Sequence, residues 1–261
     1  MWFYPKIIAH RGGGTLAPEN TIAALRCGLG HGFRAVEFDV MLSADGIPVL
    51  MHDPHFGRTL PGQGQVAQTS AADLGKLDAG AWFDARFSGE PVPTYEQAVH
   101  FCKSNGIWMN VEIKPAPGHE EETGRVVGEL TRRLFEKEIA AAEKTGRSTP
   151  QGGADGLPLF SSFSFEALAR AAEAAPEIPR GFLLDAVSPD WRERLEALGA
   201  IALHTNHKKL SHEQAAAVKR AGYGLFCYTV NDPERARELL AWGVDAFCTD
   251  RIDLIGHDFA V

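Results

Sequence analysis

Eight short apolar runs recur along the chain: Lys6–Ala9, Ala35–Val40, Trp108–Ile113, Leu157–Ser161, Arg180–Leu184, Ala200–Leu203, Gly224–Thr229 and Val244–Cys248. They are short for helices, and most are apolar on both faces, as parallel strands buried between two layers are. Longer amphipathic segments lie between them and carry helix signals. Thr94 with Gln97, and Ser211 with Gln214, have the capping-box spacing. Ser188-Pro189 and Asp232-Pro233 put a cap before a proline at the first helical position. Gly106, Gly199, Gly222 and Gly243 close the other ends. This alternation over 261 residues predicts an α/β fold. A (β/α)8 TIM barrel spanning residues 1–261 as a single domain fits better than an open doubly wound sheet.

Two regions break the rhythm. Residues 41–93 run long after the second strand and predict a small insertion, about 53–93, capping the catalytic face. It holds Leu60–Gln65, a glycine-proline turn and a short helix from about Ala71 to Leu77. Residues 143–156 are polar and rich in Gly and Pro, and read as a solvated loop without chemistry.

Composition narrows the function. With a net charge of −8, the chain has no general attraction for nucleic acid or an anionic membrane surface. Neither nucleic acid nor stable membrane association is expected, so any phosphate must be bound locally by a metal or a few basic groups. The four cysteines are far apart, form no C-x-x-C and read as buried small hydrophobes. The N-terminus lacks the features of a signal peptide, and no apolar run approaches the ~20 residues of a membrane span. A cytoplasmic protein is expected, with its oligomeric state, a homo-oligomer included, left open.

In such a barrel, site residues come from the carboxyl ends of the strands. The first run ends on His10-Arg11. The second carries Glu37 and Asp39 and the third Glu112 and Lys114, each pair two apart and therefore on one face. Asp45-Gly46 then signals a hairpin. A turn centred just before Asp45 returns His52 opposite Glu37, and one centred just after it returns His52 opposite Asp39. Three carboxylates gathered without a counter-ion would repel and raise one another's pKa. A hard divalent cation, Mg²⁺ or Ca²⁺, removes that cost. The histidines suit proton transfer better than ligation of so hard an ion, while Arg11 and Lys114 add charge to receive an anion, phosphate above all.

Plainer readings exist: Glu37 and Asp39 as partners of helix N-termini, and His10 as a satisfied core histidine. Asn20 is expected to cap the first helix and Glu19 to pair with Arg11. His204 has a second-tier or substrate role open to it. Phe163 and Tyr228 offer an apolar wall for a glycerol or alcohol group, or plain core.

These residues carry a family resemblance. His10-Arg11-Gly12, Pro18-Glu19-Asn20-Thr21, Glu37-x-Asp39, Asp45-Gly46 with His52-Asp53, and Glu112-x-Lys114 together resemble the glycerophosphodiester phosphodiesterase family. The likeness continues through Tyr228-Thr229-Val230-Asn231 and Gly243-Val244-Asp245 to Thr249-Asp250, and is strongest to the short cytosolic bacterial enzymes. It implies a (β/α)8 barrel and a divalent metal held by Glu37, Asp39 and Glu112. It also implies His10 and His52 as the general acid–base pair and Arg11 and Lys114 on the phosphate. The implied reaction is hydrolysis of a small-molecule glycerophosphodiester to glycerol 3-phosphate and an alcohol. The nucleophile is water or the substrate's own neighbouring hydroxyl, and which histidine is acid and which base stays open. Two alternatives remain: a phosphodiesterase acting on lysophospholipids with the same residues, and a non-catalytic barrel that binds glycerophosphodiesters.

Overall fold

The computed structural model describes residues 2–144 and 156–259. Among them one sheet contains β1 (Ile7–Ala9), β2 (Ala35–Leu42), β3 (Pro48–Leu50), β4 (Trp108–Ile113), β5 (Leu159–Ser162), β6 (Arg180–Leu184), β7 (Ala202–Asn206), β8 (Gly224–Tyr228) and β9 (Ala246–Thr249). All but β3 run parallel, and the barrel closes at β1, where Ala9 pairs with Val36 on one side and Thr249 on the other. β3 lies antiparallel on β2, with Val40 opposite Leu50. The (β/α)8 TIM barrel is thus present; Trp108–Ile113 and Arg180–Leu184 are found with the expected bounds, and the other expected strands with ends moved by one to three residues. Every residue of β2 is buried, as two-sided coverage requires.

The helices are α1 (Ile22–Gly30), α2 (Ala71–Leu74), α3 (Tyr95–Ser104), α4 (Glu120–Leu134), α5 (Glu136–Lys144), α6 (Phe165–Ala174), α7 (Trp191–Leu198), α8 (His212–Arg220) and α9 (Pro233–Ala241). Both capping boxes form at α3 and α8, each cap contributing about 1 kcal/mol. Asp232 caps α9 ahead of Pro233. The Ser188-Pro189 expectation is corrected: the Trp191 N–H donates to Ser188 O, so Pro189 occupies a turn and α7 starts after Asp190. Strict alternation also fails twice. α5 adds a second helix after β4 and runs into the start of the expected polar loop, whose residues 145–155 lie outside the described ones. No helix follows β9 among the described residues; the chain turns there and buries Ile252 and Ile255 instead.

The main core lies between the strands and the outer helices, around side chains such as Phe38, Tyr95, Val111, Phe182 and Leu203. Inside the barrel a smaller cluster of Ile8, Ala35, Phe226, Ala246 and Cys248 is joined by Trp2 and Trp108. The insertion builds its own cluster on the hairpin, with Met41, Val49, Leu60, Val66 and Leu74. Its helix ends at Leu74, short of the expected Leu77. The cysteines are free; Cys102, Cys227 and Cys248 are buried as expected, whereas Cys27 is partly exposed. No helix among the described residues is long and apolar enough to cross a membrane.

Candidate active site

The parallel strands carry their charges to one rim. In the β2–β4 ladder Asp39 pairs with Glu112 and Glu37 with Asn110, so the acids meet across two strands. One oxygen from each of Glu37, Asp39 and Glu112 lies within 4.8 Å of the others. Glu37 and Asp39 are buried. Arg11 Nε stands 3.5 Å and Lys114 Nζ 3.4 Å from Asp39, and Lys114 Nζ also lies 3.3 Å from Glu112.

The electrostatics follow from this crowding. Burial, then the charge on Asp39, pushes Glu37 up to about 7 and Glu112 up to about 8. Burial alone would raise Asp39 as well, but Lys114, Arg11, His52 and the Asn20 amide outweigh it and hold this carboxyl below its usual range. Two of three carboxylates therefore resist ionisation without a cation, and Glu37 Oε1 is a buried acceptor lacking a hydrogen-bond partner among the described residues.

Asn20 departs from its expected role. Thr21 caps α1 by accepting from the Ala24 N–H. Asn20, at a positive φ of 58°, instead clamps Asp39: its Nδ2 donates to Asp39 Oδ2 at 2.9 Å, and its Oδ1 accepts the Asp39 N–H at 3.1 Å. Glu19 does pair with Arg11, at 2.7 Å. Gly14, at φ 55°, packs so tightly that a Cβ would stand 2.1 Å from Asp250 O. The need for glycine at Gly14 thus comes from the neighbouring backbone.

Both candidate histidines share one device. His10 Nδ1 donates to Asp250 Oδ1 at 2.5 Å, because a carboxylate can only accept, and Nε2 faces Glu37 Oε2 at 3.7 Å. Asn231 Nδ2 holds the other Asp250 oxygen at 2.9 Å. His52 Nδ1 donates to Asp53 Oδ1 at 2.6 Å. Arg58, from the insertion, reaches Asp53 at 2.5 Å and grips both oxygens of Glu19 at 2.7 Å. Burial would lower His10, but Asp250 and Glu37 prevail and raise it. Burial lowers His52 despite the attraction of Asp39.

The hairpin register falls between the two expected alternatives. Ser43 pairs with Ile47 around a loop centred on Asp45, and the Met51 N–H, not that of His52, donates to Asp39 O at 3.1 Å. His52 lies just past the ladder, where the charge on Asp39 still acts on its ring.

A cavity of about 130 Å³ opens among these groups. His10, Arg11, Glu37, Asp39, Glu112, Lys114, Phe163 and Tyr228, all singled out in the sequence, line it together; His52 stands outside that lining. Phe163 is exposed at the rim and meets Tyr228 edge-on at 5.7 Å, while the Tyr228 hydroxyl donates to Leu184 O. Asp250, Asn231 and Arg58 were not recognised as partners from the sequence. The first two follow strand ends, which is a usable signal; Arg58 carries none.

A sequence profile of the glycerophosphoryl diester phosphodiesterase family matches residues 10–254. The chain belongs to this family. Members similar to it include a glycerophosphodiester phosphodiesterase of Caldanaerobacter subterraneus subsp. tengcongensis, 31% identical with 94% of this chain and 93% of the relative covered. A solved phosphodiesterase of Oleispira antarctica, in complex with the product sn-glycerol-3-phosphate, is 38% identical over 95% of this chain and 94% of its own, with a TM-score of 0.83. The glycerophosphodiester phosphodiesterase of Agrobacterium tumefaciens str. C58 superposes with a TM-score of 0.70 at 28% identity, covering 96% and 98% of the two chains. As a member of this family the chain is an enzyme of the phosphodiesterase class.

Proposed function

We propose that the chain hydrolyses small water-soluble glycerophosphodiesters to glycerol 3-phosphate and an alcohol, in the cytoplasm, with a divalent cation, Mg²⁺ or Ca²⁺, as cofactor. The observation that carries this reading is the convergence of Glu37, Asp39 and Glu112 beside His10, with Arg11 and Lys114 against the same carboxylates. The donor set is all oxygen, and the raised carboxyls and the orphaned Glu37 Oε1 fit a hard cation held by these three acids. When bound, such an ion supplies Lewis-acid polarisation of the phosphoryl oxygen.

The chain's own side chains do the rest. Arg11 and Lys114 bind and orient the diester's phosphate, in keeping with their positions at the cavity. His10 and His52 move the protons. Their environments shift them in opposite directions, which supports His10 as the acid that protonates the leaving alcohol and His52 as the base that takes the nucleophile's proton. Asp250 and Asp53 fix each imidazole with Nε2 free for transfer. Phe163 and Tyr228 form the wall for the alcohol. Residues 53–93 cap the face, tied down through Arg58.

Release of choline from glycerophosphocholine, compared with its release from lysophosphatidylcholine, tests the proposal, with glycerol 3-phosphate followed as the second product of the first substrate. Turnover of the first and not the second is expected. A preference for lysophosphatidylcholine would move the enzyme to lipids, and turnover of neither would overturn the reading.

A further inference from the structure

Alongside the carboxylates the barrel interior stays polar on β4, β5 and β7, where apolar layers are usual. Asn110 is in register with Glu37 and Ser161 with Glu112. Asn110 Oδ1, Ser161 Oγ and both ring nitrogens of His204 are buried without a hydrogen-bond partner among the described residues. All three side chains line the same cavity as the carboxylates. His204 is fully buried on β7 and stacks on Phe226 at 4.5 Å and 22°. Its ring fills space that Gly181 leaves on β6, where a Cβ would stand 2.3 Å from Nε2. The barrel thus gives up a side chain to admit this imidazole, then leaves both its nitrogens without a hydrogen-bond partner among the described residues.

An unmade buried hydrogen bond is unfavourable, so several in one small cavity call for a ligand that makes them. The chemistry of these groups says which kind. An amide oxygen and a hydroxyl are neutral, and burial holds His204 at about 3, hence neutral, with one nitrogen to donate and one to accept. The cations Arg11 and Lys114 flank the carboxylates instead. An anion therefore has its partners at Arg11 and Lys114, and neutral hydroxyls have theirs at Asn110, Ser161 and His204.

Resting on the phosphodiesterase reading above, we propose that His204, with Asn110 and Ser161, forms a subsite for the hydroxyl groups of the substrate's glycerol arm, making His204 a specificity-determining residue. Substrate hydroxyls and buried water share this chemistry, and the experiment separates them.

Calorimetric titration in excess MgCl₂ compares glycerol 3-phosphate with inorganic phosphate on the full chain and on His204→Phe, His204→Gln and Ser161→Ala, with thermal melts as the folding control. His204→Phe is expected to weaken glycerol 3-phosphate by about 10- to 100-fold, the worth of one or two buried hydrogen bonds. Inorganic phosphate should stay within about twofold, and His204→Gln, which keeps a donor and an acceptor, should recover part of the loss. In turnover, kcat/KM for glycerophosphocholine should fall by a similar factor, while bis(4-nitrophenyl) phosphate, a diester without hydroxyls, is spared. Parallel losses for both ligands, or no loss for either, would mean that these groups hold water only and would overturn the subsite. Should His204→Phe fail to fold, Ser161→Ala carries the same comparison with a smaller expected loss. Selective glycerol 3-phosphate binding by a chain that turns over no diester would keep the subsite and overturn the catalytic reading instead.

Discussion

The two ends of one barrel solve opposite problems. At the amino end of the strands, Trp2, Tyr4 and Trp108 close the interior with aromatic rings. Tyr4 stacks on Trp108 at 4.6 Å, and Trp2 meets Tyr4 edge-on at 5.1 Å. At the carboxyl end, three acids, two histidines and two cations gather. The aromatic end gains stability from the ring area that these half-buried side chains cover. The charged end gives stability up, since buried like charges and unpartnered acceptors are unfavourable in the ion-free fold. Damage at one end should therefore read out as stability and damage at the other as rate.

The largest expected effect is at the charged end. His10→Ala and His52→Ala should each lower kcat by about 10²–10⁴, the range of general acid–base catalysis, with melting temperature nearly unchanged. In pH–rate profiles the two variants should lose opposite limbs, His10→Ala the alkaline one and His52→Ala the acidic one. A matching loss at the aromatic end takes the other form. Trp108→Ala, at a partly buried site, should cost up to about 3 kcal/mol of stability in denaturant titration and leave kcat per folded molecule unchanged.

A smaller effect sharpens the contrast through pH. Glu37 and Glu112 hold protons more tightly folded than unfolded, because burial and Asp39 raise them. Between the ordinary value near 4.5 and about 8 the ion-free native state carries the extra protons, so its stability falls as pH rises through that window. Excess Mg²⁺ should therefore raise the melting temperature more at pH 8 than at pH 5, and equal rises would contradict the carboxylate site. The smallest expected change is Arg58→Met. It frees Asp53 and Glu19 at an exposed ion pair and should lower kcat only a few-fold, with KM little changed.

What could be read from the sequence follows the range of its rules. Alternation along β2 and β4 put Glu37, Asp39, Glu112 and Lys114 on shared faces, and their meeting needed only two adjacent parallel strands. Strand-end placement found His10 and Arg11. Asp250 reaches His10 only because β9 closes the barrel against β1, a pairing across 240 positions that no local pattern encodes. Asn20 was misread because a cap and a side-chain clamp use the same residue type, and its left-handed backbone decides between them. The hairpin was legible at Asp45-Gly46, but its register shifted because the loop centres on Asp45 itself.

The proposed mechanism stands on Glu37, Asp39 and Glu112 holding one cation. Titrating Mn²⁺ into EDTA-treated protein while following glycerol 3-phosphate release, for the wild type and Glu112→Gln, tests it most directly. Turnover should be absent without metal and return in step with occupancy of a single site, and binding should weaken by about an order of magnitude or more in Glu112→Gln. Full turnover by the EDTA-treated wild type, or unchanged binding in Glu112→Gln, would contradict it.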